Sequence, residues 1–147
     1  MTPPTTDAKR LTSERAALRR RIRRFYEWFN QEEWPKCFAQ IDPRLREASK
    51  VDPATYAATL AEFRHHYGAI QLRHLEISLH LDARSNKHDA RPFAYVYAFW
   101  QDRRHEFHLF RERWVKHAGR WYTRVVGLVA HRETGKGQDG PGSAREP

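Results

Sequence analysis

Three side chains of types that carry out acid–base chemistry stand among apolar neighbours: Tyr26, Asp42 and His108. Tyr26 could donate a hydrogen bond to a carbonyl or an oxyanion. Asp42 could act as a general base if an apolar pocket raised its pKa, and His108 could be a second base. Each also has a structural alternative: a packed tyrosine, a helix N-cap before Pro43, and a histidine on a sheet surface.

The histidines do not have the spacing of a metal site. His105 and His108 are three residues apart, which puts them on opposite faces of a regular strand. His74 and His80 share a face, but six residues of strand separate them by roughly 20 Å. The sequence also lacks a P-loop, a GxGxxG motif and a GxSxG motif. We therefore expect no metal and no cofactor.

The first half of the chain has helical periodicity. Apolar side chains recur at i, i+4, i+7 and i+11 in two segments, which predicts amphipathic helices over residues 13–30 and 53–67. A shorter helix is predicted over residues 34–41. Asp42-Pro43 interrupts the chain after this short helix, and Gly68 ends the last one.

The period changes to two after the last helix. Alternation predicts strands over residues 75–81, 92–101, 105–117 and 120–131. A change of parity near Arg73-His74 predicts a bulge. Helices followed by a meander of strands indicate an α+β domain rather than alternating βαβ units.

The strand over residues 92–101 is apolar on both faces. One face carries Tyr95, Tyr97 and Phe99. This aromatic face could line a cavity, form a dimer interface, or pack as core against the first helix.

The chain resembles the NTF2-like (cystatin-like) superfamily in this order of elements and in two local patterns. One is the aromatic helix FYEWFNQEEW over residues 25–34, and the other is a Trp-x-x-x-x-Gly-x-Trp hairpin at Trp114, Gly119 and Trp121. The resemblance covers about residues 13–131. It implies three N-terminal helices packed on a curved antiparallel sheet of about four strands, which forms a cone with a cavity inside.

The resemblance implies a pocket but no single activity. The residues expected to line the pocket are Tyr26, Phe29, Tyr95, Tyr97, Phe110 and Trp114. Members of the superfamily include isomerases, dehydratases, polyketide cyclases, transport adaptors and oligomerisation modules, and fold alone does not choose among them. Since the last strand offers Gly127, Leu128 and Val129 and no polar side chain from there until His131, we favour a non-catalytic, homodimeric module that binds a small apolar ligand or a protein partner. The alternative is a small lyase or isomerase, ketosteroid-isomerase-like or cyclase-like.

The chain is strongly basic, with a formal net charge of +9. Such a charge is typical of proteins that bind nucleic acid or an anionic surface, but a GC-rich genome also produces arginine-rich chains. Five basic residues within positions 19–24 cannot share one helix face, so we expect them to spread around the helix. A basic nucleic-acid-binding adaptor is thus a further alternative, and it is not favoured.

We expect a disordered lead over residues 1–12, one folded domain over residues 13–131, and a disordered tail over residues 132–147. The single cysteine fits a reducing compartment, and the N-terminus has no apolar signal core. These features predict a cytoplasmic location. No stretch approaches the roughly 18 apolar residues of a membrane span.

Overall fold

The computed structural model describes residues 6–82, 89–127 and 131–132. Within these residues the helices all precede the strands, and the sheet is antiparallel, which confirms the α+β class. The elements are α1 Thr6–Asn30, α2 Trp34–Phe38, α3 Pro43–Ser49, α4 Pro53–Tyr67, β1 Gln71–His80, β2 Phe93–Gln101, β3 Phe107–His117, β4 Arg120–Thr123 and β5 His131–Arg132. The expected tail beyond residue 132 lies outside the described residues.

The helices differ from the prediction in number and in length. The described residues contain four helices, not three, because Asp42-Pro43 starts α3 where an interruption was expected. An N-cap carboxylate followed by proline at the first helical position favours exactly such a start. At the N-terminus α1 begins at Thr6, so residues 6–12 of the expected lead are helical.

The four main strands form a meander in the order β1-β2-β3-β4. The register of β1 against β2 shifts between Leu72 and His74, which confirms the predicted bulge. The turn between β3 and β4 has positive φ angles at Ala118 (51°) and Gly119 (83°). Two such residues in succession match the right-handed twist of the flanking strands, and glycine adopts this conformation without strain.

The last predicted strand, residues 120–131, is interrupted. β4 ends at Thr123, whose hydroxyl accepts the backbone N–H of Val125 at 3.0 Å. This local bond draws the chain out of the ladder, and the two residues of β5 then pair with Leu109 and His108 of β3. Gly127 therefore lies outside any strand.

One face of the sheet, here called the inner face, packs against the helices. Its buried β2 residues are Ala94, Val96, Ala98 and Trp100. The predicted apolar stripe of α1 is confirmed, since Leu18, Ile22, Phe25 and Phe29 are all buried. Phe63 of α4 meets the ring of Trp100 at 5.9 Å between centroids. Burial of large side chains stabilises the fold by roughly 1.5–3 kcal/mol each.

Candidate functional site

The three acid–base candidates lie in three separate hydrogen-bond clusters. Each has its own partners: Glu112 for Tyr26, Arg91 and Arg124 for Asp42, and Asp102 for His108. Among the described residues no hydrogen bond or ring contact joins any two of the three candidates. A lyase or isomerase built on them requires at least two to converge in one cavity, and the geometry does not bring them together.

The first cluster lies in the core between α1 and β3. The Tyr26 hydroxyl donates to one carboxylate oxygen of Glu112. Trp114 Nε1 donates to the other oxygen at 2.9 Å. All three residues are buried, and the ring of Phe110 stacks on Tyr26 with centroids 5.8 Å apart. A buried carboxyl group therefore sits inside the domain with two neutral donors.

Burial sets the electrostatics of this cluster. It raises the pKa of Glu112, although the hydrogen bonds from Trp114 and Tyr26 act in the opposite direction. Burial also raises the pKa of Tyr26, and the neighbouring Glu112 raises it further. Both shifts run in the direction that favours the protonated form, and among the described residues the hydrogen-bond donors to Glu112 are neutral.

The second cluster holds Asp42, which is fully buried. Arg91 binds its carboxylate with both terminal nitrogens, at 2.7 and 2.8 Å, and Arg124 Nη1 adds a third bond at 2.8 Å. Its Oδ1 also accepts the backbone N–H of Arg44 at 3.3 Å, which confirms the N-cap alternative.

The pKa shift of Asp42 is opposite in direction to the shift expected of a general base in an apolar pocket. Burial alone would raise the pKa, but the guanidinium groups of Arg91 and Arg124 outweigh burial, so the pKa of Asp42 lies below its ordinary value. Each carboxylate oxygen of Asp42 already accepts two hydrogen bonds, which come from Arg91, Arg124 and the backbone of Arg44. Asp42 ties the start of α3 to the approach to β2 and to the chain that follows β4.

The third cluster lines a cleft of about 240 Å³ at the hairpin between β2 and β3. His108 Nε2 lies 2.8 Å from Asp102 Oδ2. The other oxygen of Asp102 accepts the backbone N–H groups of Arg104 and Glu106, at 2.8 and 3.0 Å. The imidazole is enclosed by neighbouring rings and is only 3% exposed. It is a buried histidine, not one on a sheet surface.

The same hairpin contains a possible cation-binding group that comparison of histidines alone missed. One ligand atom each of Asp102, Glu106 and His108 lies within 4.8 Å of the others. Carboxylate and imidazole donors suit several divalent transition ions. However, Asp102 and His108 already bond to each other, and Arg103 and Arg104 line the cleft. The arrangement favours the internal hydrogen bond between His108 and Asp102 over a bound cation.

The six residues expected to line one pocket lie on two sides of the sheet. Tyr26, Phe29, Phe110 and Trp114 are buried in the core, where their rings contact other rings. Tyr95 and Tyr97 lie on the opposite face, with 45% and 41% of their surface exposed. They therefore do not share a cavity with the other four residues.

This opposite face, here called the outer face, carries an ordered set of side chains. Cross-strand partners in an antiparallel sheet lie side by side on one face. The register therefore places Glu76 of β1, Tyr97 of β2 and Arg111 of β3 in one row across the sheet. Acidic and basic residues thus flank the exposed aromatic residue, all three of them exposed.

Sequence reasoning missed Glu112 and Asp102 as site residues. Glu112 lies on the same strand face as Phe110 and Trp114, and an acidic residue on an otherwise apolar face was the available signal. Asp102 stands at the start of a tight hairpin, where a carboxylate commonly accepts local backbone N–H groups. Nothing in the spacing shows that its second oxygen meets a histidine.

Comparison of the chain with protein-family models, with curated proteins and with solved structures finds no match. None of the helices in the described part of the chain combines the length and the apolar character that crossing a bilayer requires.

Proposed function

We propose that this chain is a non-catalytic, NTF2-like interaction module that pairs with a second copy of itself through the outer face. The observation that carries the proposal is the exposed row of Glu76, Tyr97 and Arg111. Exposed aromatic residues beside ordered charges are typical of protein interfaces.

The interior supports this proposal over catalysis or binding of a small apolar ligand. The rings of Tyr26, Phe110, Trp100 and Phe63 contact one another in this order, with centroids 4.8 to 5.9 Å apart. A small ligand would have to displace these contacts. The candidate catalytic groups, moreover, belong to separate clusters.

The charges on the outer face are self-complementary. A two-fold axis parallel to β2 lays β1 of one copy over β3 of the other, as an isologous interface requires. Two sheets packed face to face align within about 30°, so rows near the centre stay in register. Glu76 of one copy then faces Arg111 of the partner subunit, and the symmetry repeats this pair.

Sedimentation equilibrium of charge-reversal variants tests the proposal. We expect the unmodified chain to dimerise, and Arg111→Glu or Glu76→Arg to raise the dimer Kd by about tenfold or more, since each places like charges opposite one another. The double variant Glu76→Arg/Arg111→Glu restores both pairs and should recover most of the affinity.

The control is Arg104→Glu, which makes the same charge change in the hairpin cleft and should leave the dimer Kd unchanged. A monomeric unmodified chain would overturn the proposal. So would a double variant that dimerises no better than the single ones.

A further inference from the structure

Helix α1 concentrates the positive charge of the protein. It carries eight basic and three acidic side chains, hence five of the nine net positive charges, in 25 of the 147 residues. This concentration of charge on one helix gives a strong local positive potential, which the same net charge spread over the whole surface would not give.

The acidic residues of α1 do not neutralise its central arginines. Glu14 accepts hydrogen bonds from Lys116 and from Trp121 of the sheet. Glu27 pairs with Arg24. Asp7 lies at the beginning of the helix, two turns before Arg15. Each acidic side chain of α1 thus either bonds to another residue or lies far from the central arginines.

Five arginines of α1 have no hydrogen bond or ion pair among the described residues, and four of the five line one cleft. These four, which we call the arginine surface, are Arg15, Arg19, Arg20 and Arg23. They line a shallow cleft of about 400 Å³ together with Thr12 and Ala16. No acidic side chain of the described residues lines this cleft.

The arginine surface is more continuous than the sequence predicted. Basic residues at 19–24 do diverge, since Arg21 turns to the backbone carbonyl of Trp121. However, Arg15, Arg19 and Arg23 follow one another at four-residue intervals, so they repeat about every 6 Å along one side of the helix. Arg20 connects them to a second cleft, which Arg21, Arg24 and Arg120 also line.

We propose that the arginine surface binds the sugar–phosphate backbone of a nucleic acid. Guanidinium groups bind phosphate oxygens with two parallel hydrogen bonds, and evenly spaced unpaired arginines suit a regularly charged polymer. Contacts of this type carry no base sequence information. The surface lies on the helical side of the domain, so pairing through the outer face would leave it free.

The surroundings of these arginines favour a nucleic acid over an anionic membrane. A helix that lies in a membrane interface inserts an apolar face beside its basic one. The apolar stripe of α1 is instead buried in the core, with Leu18, Ile22 and Phe25 at most 4% exposed. The arginine surface thus offers charge without an adjoining apolar face.

Fluorescence anisotropy with a labelled DNA duplex tests the proposal through salt dependence. Four phosphate contacts give a slope of log Kobs against log salt of about −3.6, hence about a 150-fold loss of affinity between 50 and 200 mM salt. The variant with all four arginines of the surface changed to glutamine should lose most of this slope and bind at least about tenfold more weakly at 50 mM salt.

The matched control removes four positive charges elsewhere, in the variant Lys36→Gln/Arg44→Gln/Lys50→Gln/Arg104→Gln, and should keep the slope. Circular dichroism confirms that both variants fold. Equal losses in both variants, or no binding by the unmodified chain at 50 mM salt, would overturn the proposal. Binding to phosphatidylserine vesicles but not to the duplex or to a labelled single strand would assign the surface to a membrane instead.

Discussion

Two buried carboxyl groups of this protein, Asp42 and Glu112, differ in what surrounds them. Asp42 is enclosed by the guanidinium groups of Arg91 and Arg124, which hold its pKa below the ordinary value. Among the described residues Glu112 receives hydrogen bonds only from neutral donors, and burial raises its pKa. Burial alone therefore does not decide the charge of an acidic side chain, because the charge of its hydrogen-bond partners decides which form is favoured.

The largest expected effect comes from neutralising Asp42. Asp42→Asn keeps the size of the side chain but removes the charge that pairs with Arg91 and Arg124. Arg91, whose side chain is 11% exposed, keeps Asp89 as its second counter-ion at 2.7 Å. Breaking a buried ion pair on one side costs about 3–5 kcal/mol, and because Asp89 stays beside Arg91 we expect a loss near the lower end of this range. We expect this loss in the free energy of unfolding, measured by urea denaturation.

The chain provides a matched control for this variant in Asp52. Asp52 also precedes a proline and also caps a helix, through the backbone N–H of Thr55 at 2.9 Å, but it lies at the surface. Because asparagine caps as well as aspartate does, Asp52→Asn should leave stability nearly unchanged. A loss at Asp42 no larger than the loss at Asp52 would show that the charge of Asp42, and hence its pairing with the arginines, does not stabilise the fold.

This pair also shows what the sequence could predict. Asp-Pro predicts a helix start at both positions, and both carboxylates do cap helices. The sequence could not show that one of them is buried, because its partners Arg91 and Arg124 are 49 and 82 residues away. Periodicity likewise predicted the class of fold, the bulge in β1 and the stripe of α1, since these depend on local spacing.

The candidate site was less predictable because it depends on distant contacts. Tyr26 and His108 were both identified, but their partners Glu112 and Asp102 were not. Alternation along β2 correctly placed Tyr95 and Tyr97 on the face opposite to Ala94, Val96 and Ala98. It could not show which of the two faces the helices cover, because that depends on tertiary packing. The pocket prediction combined residues of both faces for this reason.

A smaller effect is expected from removing a neutral donor of Glu112. Tyr26→Phe deletes the hydroxyl that donates to its carboxyl group while keeping the ring that stacks on Phe110. Leaving a buried polar atom unsatisfied costs about 1–3 kcal/mol, less than the loss expected at Asp42. Thermal and urea unfolding measure it.

The control is Tyr67→Phe, since the Tyr67 hydroxyl makes no hydrogen bond among the described residues. We expect this variant to unfold close to the unmodified chain. If the two variants lost equal stability, the bond between Tyr26 and Glu112 would not stabilise the core.

The smallest and most diagnostic effect is the pH dependence of stability, to which the two carboxyl groups contribute with opposite signs. The raised pKa of Glu112 means that the folded state keeps a proton that the unfolded state releases above its ordinary pKa of about 4.5. The stabilisation from the protonated form is therefore complete below that pH and is lost as pH rises through the folded pKa. For Asp42 the contribution is present above about pH 3.8 and is lost as pH falls through the lowered folded pKa.

Urea unfolding of Glu112→Gln as a function of pH tests this sign. Glutamine does not titrate, so the unmodified chain should lose stability relative to the variant as pH rises above about 4.5, with a slope no greater than about 1.4 kcal/mol per pH unit for one proton. A difference that grows in favour of the unmodified chain as pH rises would mean that Glu112 is ionised in the core. Its neutral donors would then stabilise a buried charge as effectively as the arginines do at Asp42, and the contrast between the two groups would disappear.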